Sequence, residues 1–218
     1  MAPDPSLLTA VRSALTTART LGYNSRSAAH DVYEAYLLTL FLRAAKNDGW
    51  HYELRDTSNA ITTHAVFRMG PGRLPVPNYT HAYLTKIGKE PLEAHIGVKV
   101  LGASGVAHEF DLLVLTSNSA DRCRKAYADP NASDVVAHAE AKYYGADIPL
   151  HLGRGMVGLA FDCRLFDKSV LATNRNSRSV EILLLNYHIM FRFLILPSNS
   201  MGEWFMERAF AEMLLAAP

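Results

Sequence analysis

Two apolar stretches that carry charged residues decide the fold: EFDLLVL at residues 109–115 and VVAHAEAK at residues 135–142. Each stretch predicts a β-strand, because aliphatic residues fill most of its positions. Side chains alternate between the two faces of a strand, so Glu140 and Lys142 project from the same face. A carboxylate and an ammonium are therefore expected on one surface of the sheet.

Asp111 stands at the head of four consecutive aliphatic residues. An ionised carboxylate in such surroundings costs several kcal/mol unless a cation or hydrogen-bond donors compensate it. If the two strands are neighbours, a metal ion could be that cation. Two readings without a metal remain open: Asp111 could be a satisfied carboxylate that caps the hairpin, and Glu140 and Lys142 could form a solvated ion pair worth at most about 1 kcal/mol.

An Asp on one strand followed by Glu-x-Lys on the next resembles the PD-(D/E)XK nuclease superfamily, although the proline before the aspartate is absent. The order of elements over residues 28–187 resembles the Mrr-type catalytic core. That order is a helix with Glu34, strands, the Asp strand, the Glu-x-Lys strand, a helix, a strand ending in Thr173-Asn174, and a helix. The resemblance implies an α/β fold of the restriction endonuclease-like class, with a mixed central sheet flanked by helices.

The same resemblance implies a site and a reaction. Asp111, Glu140, the backbone carbonyl of Ala141 and Glu34 would hold Mg²⁺, for which Mn²⁺ can substitute, because hard cations prefer oxygen ligands. Lys142 would orient or deprotonate the attacking water, and the product would carry a 5′-phosphate. The third acid stays open among Glu34, Glu93 and Glu109, and His108 and His138 are weaker candidates for a direct role.

Composition limits the number of domains, the types of partner and the kinds of metal site that the chain can have. At 218 residues and 49% hydrophobic content, one nuclease-like domain over residues 1–218 is expected. A net charge of +1 gives no bulk attraction to polyanions. The two cysteines, Cys123 and Cys163, lie in no CxxC, and no histidine pair has zinc-finger spacing, which argues against a structural zinc site. With no secretion signal or membrane span evident, a cytoplasmic location without membrane association is expected.

Local patterns predict the elements around the two strands. Helices are expected over residues 5–21, from capping residues Asn24 and Ser25 to 47, over 150–161, from Ser179 through 185, and over 202–216. Besides the hairpin of residues 92–101 and 106–115, strands are expected at 50–54, 63–67, 169–173 and 190–196. Residues 52–90 are interpreted as an insertion around the first strand, and residues 117–134 as a polar connection.

Nucleic acid, with DNA favoured, is the expected partner, in a setting of restriction or phage defence. Phosphate contacts are assigned to basic residues in predicted loops and in the glycine-containing helix: Arg122, Arg124, Lys125, Arg154, Arg175 and Arg178. The alternative is a catalytically inactive nuclease-like subunit used for binding or assembly. A homodimer or a partner subunit of a defence system stays open, as do sequence specificity and the choice between endo- and exonucleolytic cleavage.

Overall fold

The computed structural model describes residues 4–15, 28–68, 70–76 and 78–218, together with the backbone of residues 19–21. Its helices are α1 (Pro5–Ala14), α2 (Ala29–Asn47), α3 (Ser117–Ala126), α4 (Leu150–Cys163), α5 (Arg178–Asn186) and α6 (Ser200–Leu215). Its strands are β1 (Arg19–Leu21), β2 (His51–Arg55), β3 (His64–Val66), β4 (His81–Thr85), β5 (Leu92–Leu101), β6 (Ala107–Thr116), β7 (Val135–Lys142), β8 (Ser169–Thr173) and β9 (Met190–Arg192). None of the described helices is both long and apolar enough to cross a membrane.

The main sheet has seven strands in the order β2-β4-β5-β6-β7-β8-β9. The pairs from β2 to β7 are antiparallel, whereas β7, β8 and β9 run parallel. Leu112 lies opposite Ala139, so the predicted neighbours β6 and β7 are adjacent. A parallel pair needs a long crossover, and α4 supplies it between β7 and β8. The mixed α/β architecture with flanking helices is therefore confirmed.

Helices α2 and α6 cover one face of this sheet. The side chains of Val32, Tyr36, Leu37 and Leu40 are buried in one core with Leu112 and with the alanines of β7 at 137, 139 and 141. This packing confirms that α2 lies on the Asp and Glu-x-Lys strands. The opposite face is covered by α3, α4 and α5, whose buried side chains form two further clusters with β5 to β9.

The alternation of side chains is interrupted at Asp111. Leu112 pairs with Ile96 and packs toward α2, but Phe110 pairs with Val98 and packs in the core on the other face. Residues two apart on a regular strand share a face, so the chain kinks between them. Gly97, between Ile96 and Val98, has a φ of +62°, a conformation that glycine adopts without strain. Asp111 therefore lies at an irregularity of the strand, between residues that pack on opposite faces of the sheet.

Several local predictions are corrected by the structure. The first helix ends at Ala14, and residues 19–21 form β1, which pairs with β3 in a separate two-stranded sheet. Residues 117–126, predicted as part of a connection, form α3, because the Thr116 hydroxyl accepts a hydrogen bond from the Ser119 amide and caps a helix there. The strand predicted over residues 190–196 ends at Arg192. The capping residues Asn24 and Ser25 lie outside the described residues.

The segment of residues 52–90 is less of an insertion than predicted. Strand β4 lies inside it and forms the second strand of the main sheet, between β2 and β5. Only the stretch between β2 and β4 leaves that sheet, and it contributes β3 to the two-stranded sheet. The C-terminal helix, predicted over residues 202–216, begins two residues earlier at Ser200 and ends at Leu215.

Candidate active site

A cleft of about 450 Å³ opens where the first turns of α2 meet β6 and the end of β7. Its acidic lining residues come from α2 and β6: Asp31, Glu34, Glu109 and Asp111. Lys142 and Tyr143 line it from the end of β7, and Gly70 and Pro71 border it. Four carboxyl groups around one cleft repel one another when ionised. Such an arrangement favours either a bound cation or protonation of part of the group.

The Asp111 carboxylate is buried and fixed by β7. Its Oδ2 accepts a hydrogen bond from the Ala141 backbone N–H at 2.8 Å and another from the Lys142 ammonium at 2.9 Å. None of the described groups donates a hydrogen bond to Oδ1. The aspartate is therefore held by one oxygen, and its second oxygen is left for a ligand that is not part of the chain.

Glu140 completes a triad with Asp111 and Lys142. The Lys142 Nζ lies 2.6 Å from Glu140 Oε1, so a single ammonium joins both carboxylates. The other oxygen, Oε2, is buried and has no hydrogen-bond partner among the described residues, although His138 Nε2 lies 3.5 Å away. A buried carboxylate oxygen without a partner is uncommon and calls for an explanation such as a bound ion or water.

Burial and mutual charge set the ionisation of the triad. Burial, then repulsion from Glu140, raises the pKa of Asp111, while Lys142 acts in the opposite direction. Burial opposes ionisation of Glu140 too, but His138 and Lys142 outweigh it and hold the pKa of that carboxyl below its usual value. Burial disfavours the ammonium, yet the two carboxylates raise the pKa of Lys142 well above its usual range. The two carboxylates thus favour the ammonium form of Lys142.

Glu34 lies on the cleft side of α2, half-buried. Burial, followed by repulsion from Asp111 and Asp31, raises its pKa to about 9. Glu34 therefore shares the cleft with Asp111 but not with Glu140, and its direct or water-mediated contact with an ion stays a prediction. Glu109 lines the cleft as well, so it remains a second candidate. Glu93 is excluded as the third acid, because it pairs with Leu115, four residues and about 13 Å along β6 from Asp111.

The two candidate histidines are engaged elsewhere. His108 contacts Asp162 at 2.6 Å, and neither residue lines the cleft. His138 is buried, with its ring 4.0 Å from that of Phe110 and its Nδ1 3.2 Å from Ser169 Oγ. Its contact with Glu140 gives it a place beside the triad rather than in the cleft.

The predicted phosphate contacts do not form one surface. Helix α3, which carries Arg122, Arg124 and Lys125, begins after Thr116, at the far end of β6 and about 17 Å from Asp111. Arg122 pairs with Asp134, and Arg124 makes two hydrogen bonds to buried Glu93. The exposed residues Arg154, Arg175 and Arg178 are carried by the elements that follow β7 and β8.

Of the six predicted phosphate contacts, Arg175 is the one that a described interaction links to the cleft. It follows β8, whose Thr173 lies opposite Lys142, and its charge acts on Tyr143, a lining residue. Arg178 is paired with Glu181 on the exposed side of α5. Arg154 lies in the second turn of α4.

Sequence reasoning missed some contributors to the cleft. His30 and Asp31 line it from the first turn of α2, and Asp31 precedes Glu34 by the three residues that bring side chains together on a helix. Asn174 accepts a hydrogen bond from the Tyr144 backbone N–H at 2.7 Å and donates one to the Tyr144 carbonyl at 2.8 Å. The Thr-Asn ending of β8 thereby positions the segment after Lys142.

The donor set fits a hard divalent cation. Asp111 Oδ1 accepts no hydrogen bond from a described residue, and Glu34 and Glu109 supply further carboxyl groups in the cleft. Glu140 is joined to Asp111 through Lys142 but does not itself line the cleft, because its Oε2 is buried beside His138. Mg²⁺ prefers such oxygen ligands, completed by water. No family model, curated protein or solved structure gives a significant match to this chain. The chemistry of the site itself is therefore the basis for assigning a function.

Proposed function

We propose that this protein is a metal-dependent nuclease that hydrolyses phosphodiester bonds, with DNA as the favoured substrate and a fold of the restriction endonuclease-like class. The observation that carries the proposal is the Lys142 ammonium between the Asp111 and Glu140 carboxylates, beside a cleft lined by Glu34. Two acids and a lysine in this arrangement are the residue types that metal-assisted phosphoryl hydrolysis needs. The surrounding acids would repel a phosphate without a cation, which supports a metal requirement.

In this proposal Asp111, Glu140 and the Ala141 carbonyl hold Mg²⁺, with Glu34 as a third acid. The ion, when bound, supplies Lewis acidity toward the phosphate and lowers the pKa of coordinated water. Asp111 is already oriented by the Ala141 N–H, so one of its oxygens can bind without rearrangement of the backbone. The kink at Asp111 places this carboxylate at the cleft instead of inside either core.

Lys142 acts as a fixed positive charge in this mechanism. The two carboxylates hold it protonated, so the arrangement favours stabilisation of negative charge on the transferring phosphate over abstraction of a proton from water. The proton acceptor is therefore better sought among the carboxylates. Glu34 is half-buried in the same cleft, and burial and the neighbouring acids raise its pKa to about 9, so its protonation depends on whether a cation is bound there.

The test is cleavage of supercoiled, linear and single-stranded DNA by the purified protein with Mg²⁺, with Mn²⁺ and with chelator. The proposal expects cleavage with either metal and none with chelator. Asp111→Asn should be inactive, and Arg122→Ala, altered at the far end of β6, should be fully active. Cleavage that persists in chelator would contradict the proposed mechanism.

A second function is a catalytically inactive nuclease-like subunit that binds or assembles with a nucleic-acid system. The observation in its favour is that Lys142 already compensates Asp111 and Glu140, so the triad needs no ion for its own stability. DNA binding without cleavage under every metal condition would select this alternative.

A further inference from the structure

A second cluster of metal-ligating side chains lies within the sheet, apart from the cleft. His81 on β4 and Glu93 and His95 on β5 are all buried, with exposed fractions of 1%, 0% and 0%. One ligand atom from each lies within 4.8 Å of the others. Glu93 pairs with Tyr83 and Ala94 with Ala82, so the next positions on these antiparallel strands bring His81 and His95 face to face. Their rings stack with centroids 4.9 Å apart.

All four ring nitrogens of the two histidines are buried without a hydrogen-bond partner among the described residues. A neutral imidazole has one N–H donor and one acceptor nitrogen, and leaving both unpaired in a core costs about 1–3 kcal/mol for each group. One such histidine would be unusual, and two in contact call for a common cause. A metal ion would use one nitrogen of each ring.

Two separations between ligand atoms are close to those of a tetrahedral zinc site in which three protein ligands leave one position for water. Glu93 Oε2 lies 3.1 Å from His95 Nε2 and 3.5 Å from His81 Nε2. With Zn–N and Zn–O bonds of about 2.0–2.2 Å, neighbouring ligands of a tetrahedral ion are about 3.3–3.5 Å apart. The 3.1 Å contact is close enough for a hydrogen bond but lacks the geometry of one, since His95 Nε2 has no hydrogen-bond partner. The separation thus fits joint ligation better than direct pairing.

Charged groups surround the cluster. Arg124 donates to both oxygens of Glu93, at 2.9 Å and 2.6 Å, and lies 3.1 Å from Asp121 Oδ1. The positive charges of Arg124 and Arg55 act on His81, and those of Arg124 and Arg68 act on His95, which disfavours protonation of both rings. Burial lowers the pKa of both histidines, to about 3 for His81, so both are neutral at pH 7 and offer a lone pair. Arg124 would then orient the ligating carboxylate from outside the coordination sphere.

We infer that His81, Glu93 and His95 form a structural site for a transition-metal ion, Zn²⁺ being the ion that best fits two imidazoles and one carboxylate. The site joins β4 to β5, with Glu93 about 13 Å along the sheet from Asp111, and none of its three ligands lines the cleft. It is independent of the proposed nuclease activity. Sequence spacing gave no sign of it, because the ligands come from two strands whose loop separates His81 from Glu93.

The test is a metal titration in the Asp111→Asn background, which removes a ligand from the cleft. Protein expressed with added zinc and purified without chelator should contain one equivalent of Zn²⁺ by elemental analysis. Replacement by Co²⁺ should give the intense visible absorption of tetrahedral rather than octahedral coordination. Absence of bound Zn²⁺ together with a lack of Co²⁺ binding would overturn the inference without any change to the histidines.

Ligand variants then locate the ion. His81→Gln and Glu93→Gln should each weaken Co²⁺ binding by at least about hundredfold, more than the loss typical of an outer-sphere partner. His64→Gln, which alters an exposed histidine on β3, is the matched control and should bind as the parent does. Circular dichroism verifies that each variant is folded. Unchanged binding in folded His81→Gln and Glu93→Gln proteins would place the ion elsewhere and refute the site.

Discussion

Lys142 donates a hydrogen bond to Asp111 Oδ2 at 2.9 Å, from the strand next to the one that carries the aspartate. Because the same ammonium lies 2.6 Å from Glu140, it occupies the position between two carboxylates that a cation would favour. The contact explains how two acids are tolerated side by side before a metal binds. It also makes Lys142 sensitive to whatever ion enters the cleft.

Replacement of Lys142 by Met separates these roles. Without metal, the variant leaves two partly buried carboxylates without their common cation. We therefore expect the free energy of unfolding to fall by about 1–3 kcal/mol. This value is at or below the low end of the range for breaking a buried ion pair, because the Lys142 side chain is 27% exposed. Mg²⁺ affinity should persist while turnover falls about hundredfold or more. Urea denaturation with and without Mg²⁺, and single-turnover cleavage, measure these effects. Unchanged turnover would show that Lys142 only stabilises the two carboxylates and takes no part in cleavage.

Asp111→Asn and Glu140→Gln should abolish cleavage without unfolding the protein. Burial and the neighbouring acid already raise the pKa of Asp111, which means that folding disfavours its ionised form. Removing that charge should leave the free energy of unfolding at pH 7 unchanged or higher, while cleavage falls at least about hundredfold. Thermal denaturation and a plasmid-cleavage assay report the two quantities. An Asp111→Asn protein with full activity would remove the aspartate from the mechanism.

The raised pKa of Glu34 predicts a pH dependence of stability in chelator. The folded protein keeps this proton up to a pKa of about 9, whereas the unfolded chain loses it near about 4.3. Because the folded state then binds more protons, stability should decrease as pH rises between these values and level off above pH 9. Glu34→Gln should flatten this decrease and be more stable than wild type at pH 9.

Urea denaturation at several pH values measures the effect. Glu212→Gln, which alters an exposed glutamate on α6, is the control and should keep the wild-type slope. A Glu34→Gln slope equal to that of the wild type would show that Glu34 ionises normally and does not share the charge of the cleft.

Arg175 and Arg122 provide a matched pair for DNA binding. Arg175→Ala should weaken DNA binding several-fold. It should also reduce the magnitude of the slope of log K against log salt concentration by about one, as expected for one lost phosphate contact. Arg122→Ala should have no effect, because Arg122 pairs with Asp134 at the far end of β6. Fluorescence anisotropy across salt concentrations distinguishes them. Equal losses in both variants would mean that DNA does not approach through the cleft.

The sequence predicted the centre of the fold well. Strands β5 and β7 have the predicted bounds, because long apolar runs with clear ends fix both their type and their extent. The proximity of Asp111 and Lys142 follows from the same pattern, since a charge in a buried strand needs a partner, whereas Glu34 was named from the resemblance. Errors were concentrated in short polar segments, as in α3, where one capping threonine determined the outcome.

Features that depend on non-local pairing escaped sequence reasoning. Glu93 was one of three candidates for the third acid, and only the register shows that it lies opposite Leu115, away from the cleft and next to His81 and His95. The kink at Asp111 depends on the positive φ of Gly97 on a neighbouring strand. The distribution of arginines over both ends of the sheet could not be known before α3 was placed. Each of these relationships joins residues that are distant in the chain or set by backbone conformation.

The most direct test of the central claim is plasmid cleavage by wild-type and Asp111→Asn protein, each with Mg²⁺, with Mn²⁺ and with excess chelator. The account predicts conversion of supercoiled DNA by the wild-type protein with either metal, and no conversion by the variant or in chelator. Equal cleavage by the two proteins, or cleavage by the wild type in chelator, would contradict it.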